Sequence, residues 1–366
     1  MADLFGLFET ESKIVYHVCY YFLMTLIEFI NTNYQKNYDD IYQADVEGYW
    51  SNFNKEENKI LIESLQYKSA KEALREFEPR FEDIIFSPKR QAGLEMLQLQ
   101  GDEVCIDYGC MWGALTIPLA LRTKLVLGVD QTMESLQFLK ARLRDEGLDN
   151  VMLLRNDLRK MPLFPEEARA DVAIVNGVLE WIPEVGNIEL GNYFGKHQKK
   201  KYSDHPGEQQ ELFLRRVYEN LSEKGKLYLA IENRFDFKMF FGIKDPHSDT
   251  IFTTIAPRIL ANFISLKKLG RPYVNWLYSF NGINSLMKKV GFSEIDLYRC
   301  YPDYRFPESI VYYDHPTDNS RLIKSWRNEK GKITFRRTGA RIIEFILKRM
   351  LKVKNLAPSI IAIGYK

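Results

Sequence analysis

VCIDYGCMWGALT (104–116) is the stretch on which the fold turns. VCID (104–107) reads as a buried strand that Asp107 closes. Gly109 and Gly113 sit in the turn that follows, and a helix runs on to about 121. A glycine turn lets a ligand approach the backbone, and the helix start behind it offers free N–H groups. Outward from this unit the pattern repeats. LVLGVD (125–130) is a second strand, TMESLQFLKARLRDEG (132–147) a helix stopped by Gly147, and NVMLLRND (150–157) a third strand. DVAIVNGV (171–178) is a fourth strand, QELFLRRVYENL (210–221) a helix, and GKLYLAIEN (225–233) a fifth strand. Strands alternating with helices predict an α/β, doubly wound, mostly parallel sheet with helices on both faces. The nearly continuous apolar runs fit strands buried on both sides. Such sheets take their ligands at the carboxyl ends of the strands.

Three acids mark three successive strand ends: Asp107, Asp130 and Asp157. Asp130 lies 21 residues after Gly109, the spacing at which an acid meets ribose hydroxyls. Asp157, with Leu158 beside it, can accept a hydrogen bond from an adenine amino group. Each alone reads as a turn or capping residue; the set points to a nucleoside-containing ligand. A dinucleotide fingerprint is weak here, because Gly109-Cys110-Met111-Trp112-Gly113 has no glycine three residues later at the required place. A phosphate loop is excluded because no G-K-[ST] follows the first strand.

IDYGCMWGALT, LGVDQTMESLQFLKARL, LLRNDL and DVAIVNGVLEWIPE together resemble the successive motifs of class I S-adenosylmethionine-dependent methyltransferases, over residues 104–184. The resemblance implies a Rossmann-like methyltransferase sheet and S-adenosylmethionine as cofactor. It implies that Asp107, Gly109 and Gly113 hold the methionine end, Asp130 and Gln131 the ribose, and Asp157 and Leu158 the adenine, with Asn176 also at the cofactor. Met111 stands where that family has glycine, and Trp112 is added beside it; Trp112 reads as a core aromatic or as a cofactor neighbour. QQELFLRRVYENLSEKGKLYLAIENRFDFKMFFGIKDPHSD, RPYVNWLYSFNGINSLMKKVGF and YPDYRFPESI are similar to a subgroup associated with surface polysaccharide and glycan assembly, extending the match to about residues 100–310.

The chain has 366 residues, enough for about two domains. Its 45% hydrophobic content excludes a wholly disordered chain. Residues 1–95 read as a helical N-terminal region, 96–245 as the core, and 246–280 as a helical cap insertion. Residues 281–366 complete the core sheet through SEIDLYRCY (293–301) and SIIAIGY (359–365), with a basic insertion at about 304–356. The four cysteines form no CxxC pair or Cys/His cluster, so no metal site or disulfide scaffold is expected, and the thiols suit a reducing compartment. No signal peptide is visible and the opening is acidic, so a cytoplasmic location is expected. IVYHVCYYFLMTLIEFI (14–30) is strongly apolar, but His17 and Glu28 interrupt it, and a buried or groove-forming helix is the reading.

The net charge of +2 hides an asymmetry: residues 321–354 hold 12 Lys/Arg against 2 Asp/Glu. ARIIEFILKRMLKVK (340–354) is a basic amphipathic stretch. It fits peripheral contact with a membrane or a lipid-linked substrate, or a helix that packs its apolar side on the body. An RNA partner is disfavoured, since aromatic interleaving is sparse and NGVLEW stands where an N-P-P-Y-type motif would be.

Methyl transfer to a sugar hydroxyl calls for a general base near the fourth or fifth strand end. Of Glu232, Asn233, Arg234, Asp245 and His247, His247 is the first candidate because its ordinary pKa suits the role, and Glu232 the second. Glu232 could instead pair with Arg234. Trp181 and Tyr304 could stack on a sugar face, and Arg234 and Arg305 could bind a phosphate or carboxylate on the acceptor. Glu180 joins Asn176 and Trp181 at the mouth. The expected acceptor is a sugar, a glycan or a small molecule. A small-metabolite methyltransferase and a cofactor-binding but inactive partner subunit are the alternatives, the second motivated by Met111.

Overall fold

Short β-branched and aliphatic runs bounded by turn residues become the interior of one sheet. The computed structural model describes residues 25–46, 49–184, 187–189, 205–316, 320–329 and 354–366. In chain order the strands are β1 (Gln35–Lys36), β2 (Tyr42–Gln43), β3 (Tyr49–Ser51), β4 (Val104–Tyr108), β5 (Leu125–Asp130) and β6 (Val151–Arg155), followed by β7 (Ala170–Asn176), β8 (Asn187–Glu189), β9 (Leu221–Glu232), β10 (Glu294–Tyr301), β11 (Ser309–Tyr312) and β12 (Ser359–Tyr365). Ten of them form one sheet in the order β1-β2-β6-β5-β4-β7-β9-β12-β10-β11. The ladders from β2 to β9 are parallel, and β12 runs antiparallel to both β9 and β10. The chain moves outward from β4 through β5 to β6, then returns to place β7 on the other side of β4. That reversal leaves a crevice above the carboxyl ends of β4 and β7.

Every residue of β4 and β5 is buried, which explains their unbroken apolar character. The helix Met133–Glu146 covers one face of this part of the sheet with Leu136, Leu139 and Leu143, while Phe138 turns toward Trp112 and the N-terminal helices. Each such side chain contributes about 1.5–3 kcal/mol by leaving water. The helix Pro206–Glu219 buries Phe213, Leu214 and Val217 in the larger core cluster, on the opposite face.

The structure departs from the sequence reading at the ends of the chain. The N-terminal region is not only helical. Lys55–Ser64 and Ala70–Phe77 are helices, each opened by a complete capping box at Asn54–Glu57 and Ser69–Glu72. Beside them, β2 adds itself in parallel to β6, and β3 pairs with β8 in a separate two-stranded sheet. Strands of two or three residues show no periodicity; β2 forms because the open β6 edge supplies unpaired backbone groups, while β3 and β8 satisfy each other. Ser309–Tyr312, within the expected basic insertion, is a strand in a hairpin with β10. The helix expected in the 246–280 insertion is present as Arg258–Leu269. The apolar segment 14–30 is described only from 25, where a helix runs over 25–33. The amphipathic stretch 340–354 lies outside the described residues except for Lys354. Among the described residues, no helix is long and apolar enough to cross a membrane.

Candidate active site

The turn after β4 is tied directly to β5. The Gly109 and Cys110 amides both donate to the Val129 carbonyl, at 2.8 and 3.1 Å. Gly109 has φ of 73°, a left-handed conformation, and a side chain there would meet Val178 at 2.5 Å. Gly113, at φ of 74°, has Leu139 2.2 Å from where its Cβ would lie. Gly113 therefore serves the close approach of the Met133–Glu146 helix and does not line the cavity. Met111 also adopts a left-handed φ, 48°, at a cost of roughly 1–2 kcal/mol for a residue with a side chain. Its amide donates to the Asp130 carboxylate at 2.9 Å, which holds the turn in place. Trp112 is buried, stacked on Phe53 and packed against Phe81 and Phe138. Its ring is chiefly a core aromatic, although it also touches the cavity.

The turn borders a cavity of about 380 Å3 over the strand ends. Asp107, Gly109, Asp130, Gln131, Asp157, Leu158 and Asn176 line it together, so seven of the eight residues assigned to the cofactor meet there. Burial pushes the Asp107 carboxyl up to about 6 against a hydrogen bond from the Thr116 hydroxyl, 2.6 Å away. Burial likewise raises Asp130 to about 6, against backbone donors. Asp130 accepts from Thr132 with one oxygen and from Met111 with the other, both at 2.9 Å. Each oxygen keeps a further lone pair, so a vicinal diol can be accommodated. Burial would raise Asp157 too, but a two-point contact with the Arg159 guanidinium, at 2.9 and 2.6 Å, outweighs it and holds the carboxyl low. The cavity volume and this donor and acceptor set fit S-adenosylmethionine.

The opposite wall carries a second constellation. Glu180 lies in the turn after β7, Glu232 ends β9, and His247 comes from the loop before the Arg258–Leu269 helix. His247 Nε2 is 3.8 Å from Glu180 Oε1 and 3.8 Å from Glu232 Oε2. Its Nδ1 contacts Asp245 at 3.0 Å, and Asp245 also accepts from the His247 amide at 3.0 Å and the Ser248 hydroxyl at 2.7 Å. Hydroxyls of Ser248, Thr250 and Thr253 continue this buried network. Glu180, Asp245 and His247 are almost fully buried and Glu232 nearly so. Burial alone would lower the imidazole, but Asp245, Glu180 and Glu232 overturn it and hold His247 well above its ordinary value. Burial raises Glu180, with His247 pulling against it. The structure therefore changes the expectation for His247. Three carboxylates surround its ring and raise it, so an unperturbed pKa is not a reason to choose it as a base.

Trp181 packs edge-on to His247 at 5.1 Å and to Trp50 at 5.7 Å, and Tyr304 and Arg305 complete the wall. Arg234 is not brought to the cavity: its guanidinium is tied to the Thr254 and Ala256 carbonyls at 2.9 and 2.7 Å, fastening the insertion. The alternative pairing of Glu232 with Arg234 is not seen, since Glu232 faces His247. Trp50 and Arg90 line the cavity without having been anticipated. Neither carries a local signal: one belongs to a three-residue strand and the other to a 3-10 segment. Arg90 Nε and Nη1 and Arg305 Nε are buried without a hydrogen-bond partner.

Residues 99–241 match the family described as methyltransferase domain. A protein of Clostridium tetani described as an uncharacterized RNA methyltransferase is 31% identical over 85 residues, 23% of this chain and 18% of that protein. Phosphoethanolamine N-methyltransferase 2 of Haemonchus contortus, solved with S-adenosyl-L-methionine, is similar at a TM-score of 0.43 and 14% identity, over 84% of this chain and 60% of that one. A SAM-dependent methyltransferase from Archaeoglobus fulgidus gives a TM-score of 0.38 and 10% identity, over 78% and 98%. The chain thus spans under a fifth of the curated relative and three fifths of the Haemonchus enzyme.

Proposed function

We propose that the chain, whose residues 99–241 match the methyltransferase-domain family, uses S-adenosylmethionine to methylate a hydroxyl of a sugar or glycan intermediate. The observation that carries this reading is the pair of buried carboxylates, Glu180 and Glu232, whose Oε2 atoms lack partners in the same cavity as the strand-end acids. A neutral amine needs no base to accept a methyl group, whereas a hydroxyl must lose its proton as the new bond forms.

S-adenosylmethionine, when bound, supplies a methyl group activated on a sulfonium. Asp130 and Asp157 hold the nucleoside, and Asp107 and the Gly109 turn the other end. Glu232 or Glu180 would take the proton that the acceptor hydroxyl loses as it is methylated. Asp245 fixes the His247 ring, and that ring keeps the two glutamates apart and oriented. Trp181 and Tyr304 offer faces to a sugar ring, and Arg305 with Arg90 offers donors to a phosphate or carboxylate on the acceptor. Closely packed aromatics exclude water from the reacting atoms.

An RNA acceptor is a second reading, favoured by the Clostridium tetani relative. The test runs in two stages. Calorimetry with S-adenosylhomocysteine on wild type and Asp130→Ala establishes the cofactor site. Transfer of a labelled methyl group is then measured to nucleotide sugars, lipid-linked glycans and total tRNA. Label entering a glycan fraction supports the proposal; label only in RNA replaces it with the second reading. Peripheral membrane contact through 340–354 is tested by liposome co-sedimentation; equal binding after neutralising Arg341, Lys348, Arg349 and Lys352 would remove it.

A further inference from the structure

Glu180, Glu232 and His247 bring one ligand atom each to within 4.8 Å of one another, and all three are buried. The two Nε2–oxygen separations of 3.8 Å leave room for an ion about 2.2 Å from each atom, an ordinary ligand distance. Two further observations point to a ligand here. Glu180 Oε2 and Glu232 Oε2 are buried and have no hydrogen-bond partner, a costly arrangement unless something else meets them. Asp245 contacts the far ring nitrogen of His247 at 3.0 Å, the outer-shell contact that aims a metal-ligating imidazole. The cluster also faces the cavity, so positions remain open to an acceptor.

We infer that Glu180, Glu232 and His247 form a binding site for one divalent cation, with Asp245 orienting the imidazole. Two carboxylates and one imidazole make a mixed oxygen and nitrogen set that suits Mn2+ or Zn2+ and is poor for Ca2+. The three ligands come from three separate segments of chain, so no spacing motif announces them. In the proposed reaction the ion would bind the acceptor hydroxyl and ease loss of its proton to a site carboxylate or to water. That role rests on the reading of the chain as a hydroxyl methyltransferase; uptake of the ion does not.

The test titrates MnCl2 into the full chain after chelator treatment, with free Mn2+ read by electron paramagnetic resonance. S-adenosylhomocysteine binding is measured on the same samples. The expected result is saturable uptake of one ion per chain, competed by Zn2+. Glu180→Gln and Glu232→Gln should weaken uptake about tenfold or more, and Asp245→Asn by a similar or smaller factor, while S-adenosylhomocysteine binding stays within a few-fold of wild type. Wild-type protein that binds S-adenosylhomocysteine but takes up no Mn2+ overturns the assignment, leaving an imidazolium–carboxylate cluster. Uptake unchanged in all three variants also overturns it. Mn2+ uptake without S-adenosylhomocysteine binding would instead keep the ion site and remove the methyltransferase reading.

Discussion

The side of the cavity that holds the strand-end acids comes from residues 107–158, one unbroken run of chain, whereas the other side collects Trp50, Glu180, Glu232, His247 and Tyr304 from distant segments. The two sides also differ in how charge is managed. Asp107 and Asp130 are met by backbone and hydroxyl donors, with no cation bonded to either. Glu180, Glu232 and Asp245 surround a single imidazole and leave carboxylate oxygens unmet. The first arrangement recognises neutral polar groups, such as a diol. The second is built to hold a proton or a cation, and its geometry depends on a turn, a strand end and a loop from separate segments.

If the two sides are functionally separate, damage to one should spare the other. The largest effect is expected at Glu232→Gln, where turnover should fall about 100- to 10,000-fold with S-adenosylhomocysteine affinity nearly unchanged. Equal losses in kcat and cofactor affinity would show that the sides are not separable. Trp112→Ala should cost about 3–5 kcal/mol in denaturant unfolding, because a ring packed on Phe53, Phe81 and Phe138 leaves a cavity behind. Asp130→Ala should weaken S-adenosylhomocysteine binding about 10- to 100-fold by calorimetry, and remove the acceptor for the Met111 amide.

A pH titration sharpens the comparison. Asp107 and Asp130 are raised from the usual 3.8 to about 6 by burial. In the free protein both take up protons as the pH falls through about 6, and ligand donors prefer the ionised form. Affinity for S-adenosylhomocysteine should therefore drop about tenfold between roughly pH 7 and 5. The same raised values stabilise the ligand-free fold at low pH, below the unfolded value, and that contribution is lost as pH rises through about 6. An affinity that climbs on acidification would contradict the assignment of these carboxylates. The smallest change is expected for Met111→Gly: relief of a left-handed φ offsets the added chain entropy, so stability should shift by about 1 kcal/mol or less, with cofactor affinity kept.

This contrast also explains what could be read from the sequence. The five parallel core strands and the three acids were legible because each βα unit repeats the same local pattern: a buried run, a polar end and a helix. Met111 was the one discordant residue, and the structure resolves it by giving Met111 the conformation a glycine would take. Glu232 and His247 were legible as titratable residues past a strand, but their partnership with Glu180 was not. It depends on how a turn, a strand end and a loop fold against one another, which has no period in the chain. Arg234 misled because an arginine near a strand end suits an anion equally well in sequence, whereas here two carbonyls of the insertion consume its donors. The short strands β1 to β3 escaped notice because backbone pairing, of β2 to the β6 edge, β1 to β2 and β3 to β8, creates them and not side-chain pattern.

The position of β12 bears on how the molecule reaches this state. Ser359 lies opposite Glu232, and Ser359 to Tyr365 fill the gap between β9 and β10. Two interior ladders therefore wait on this last segment, and its β9 partner lies more than a hundred residues away along the chain. Contacts of such separation are slow to form, since the closure entropy must be met before the pairing rewards it. The β4 to β7 sheet can assemble from near neighbours while the end of β9 still has an open edge. Refolding followed by amide protection should then show the strand-end acids ordering first, with Glu232 and its partners settling in a later phase set by the docking of β12.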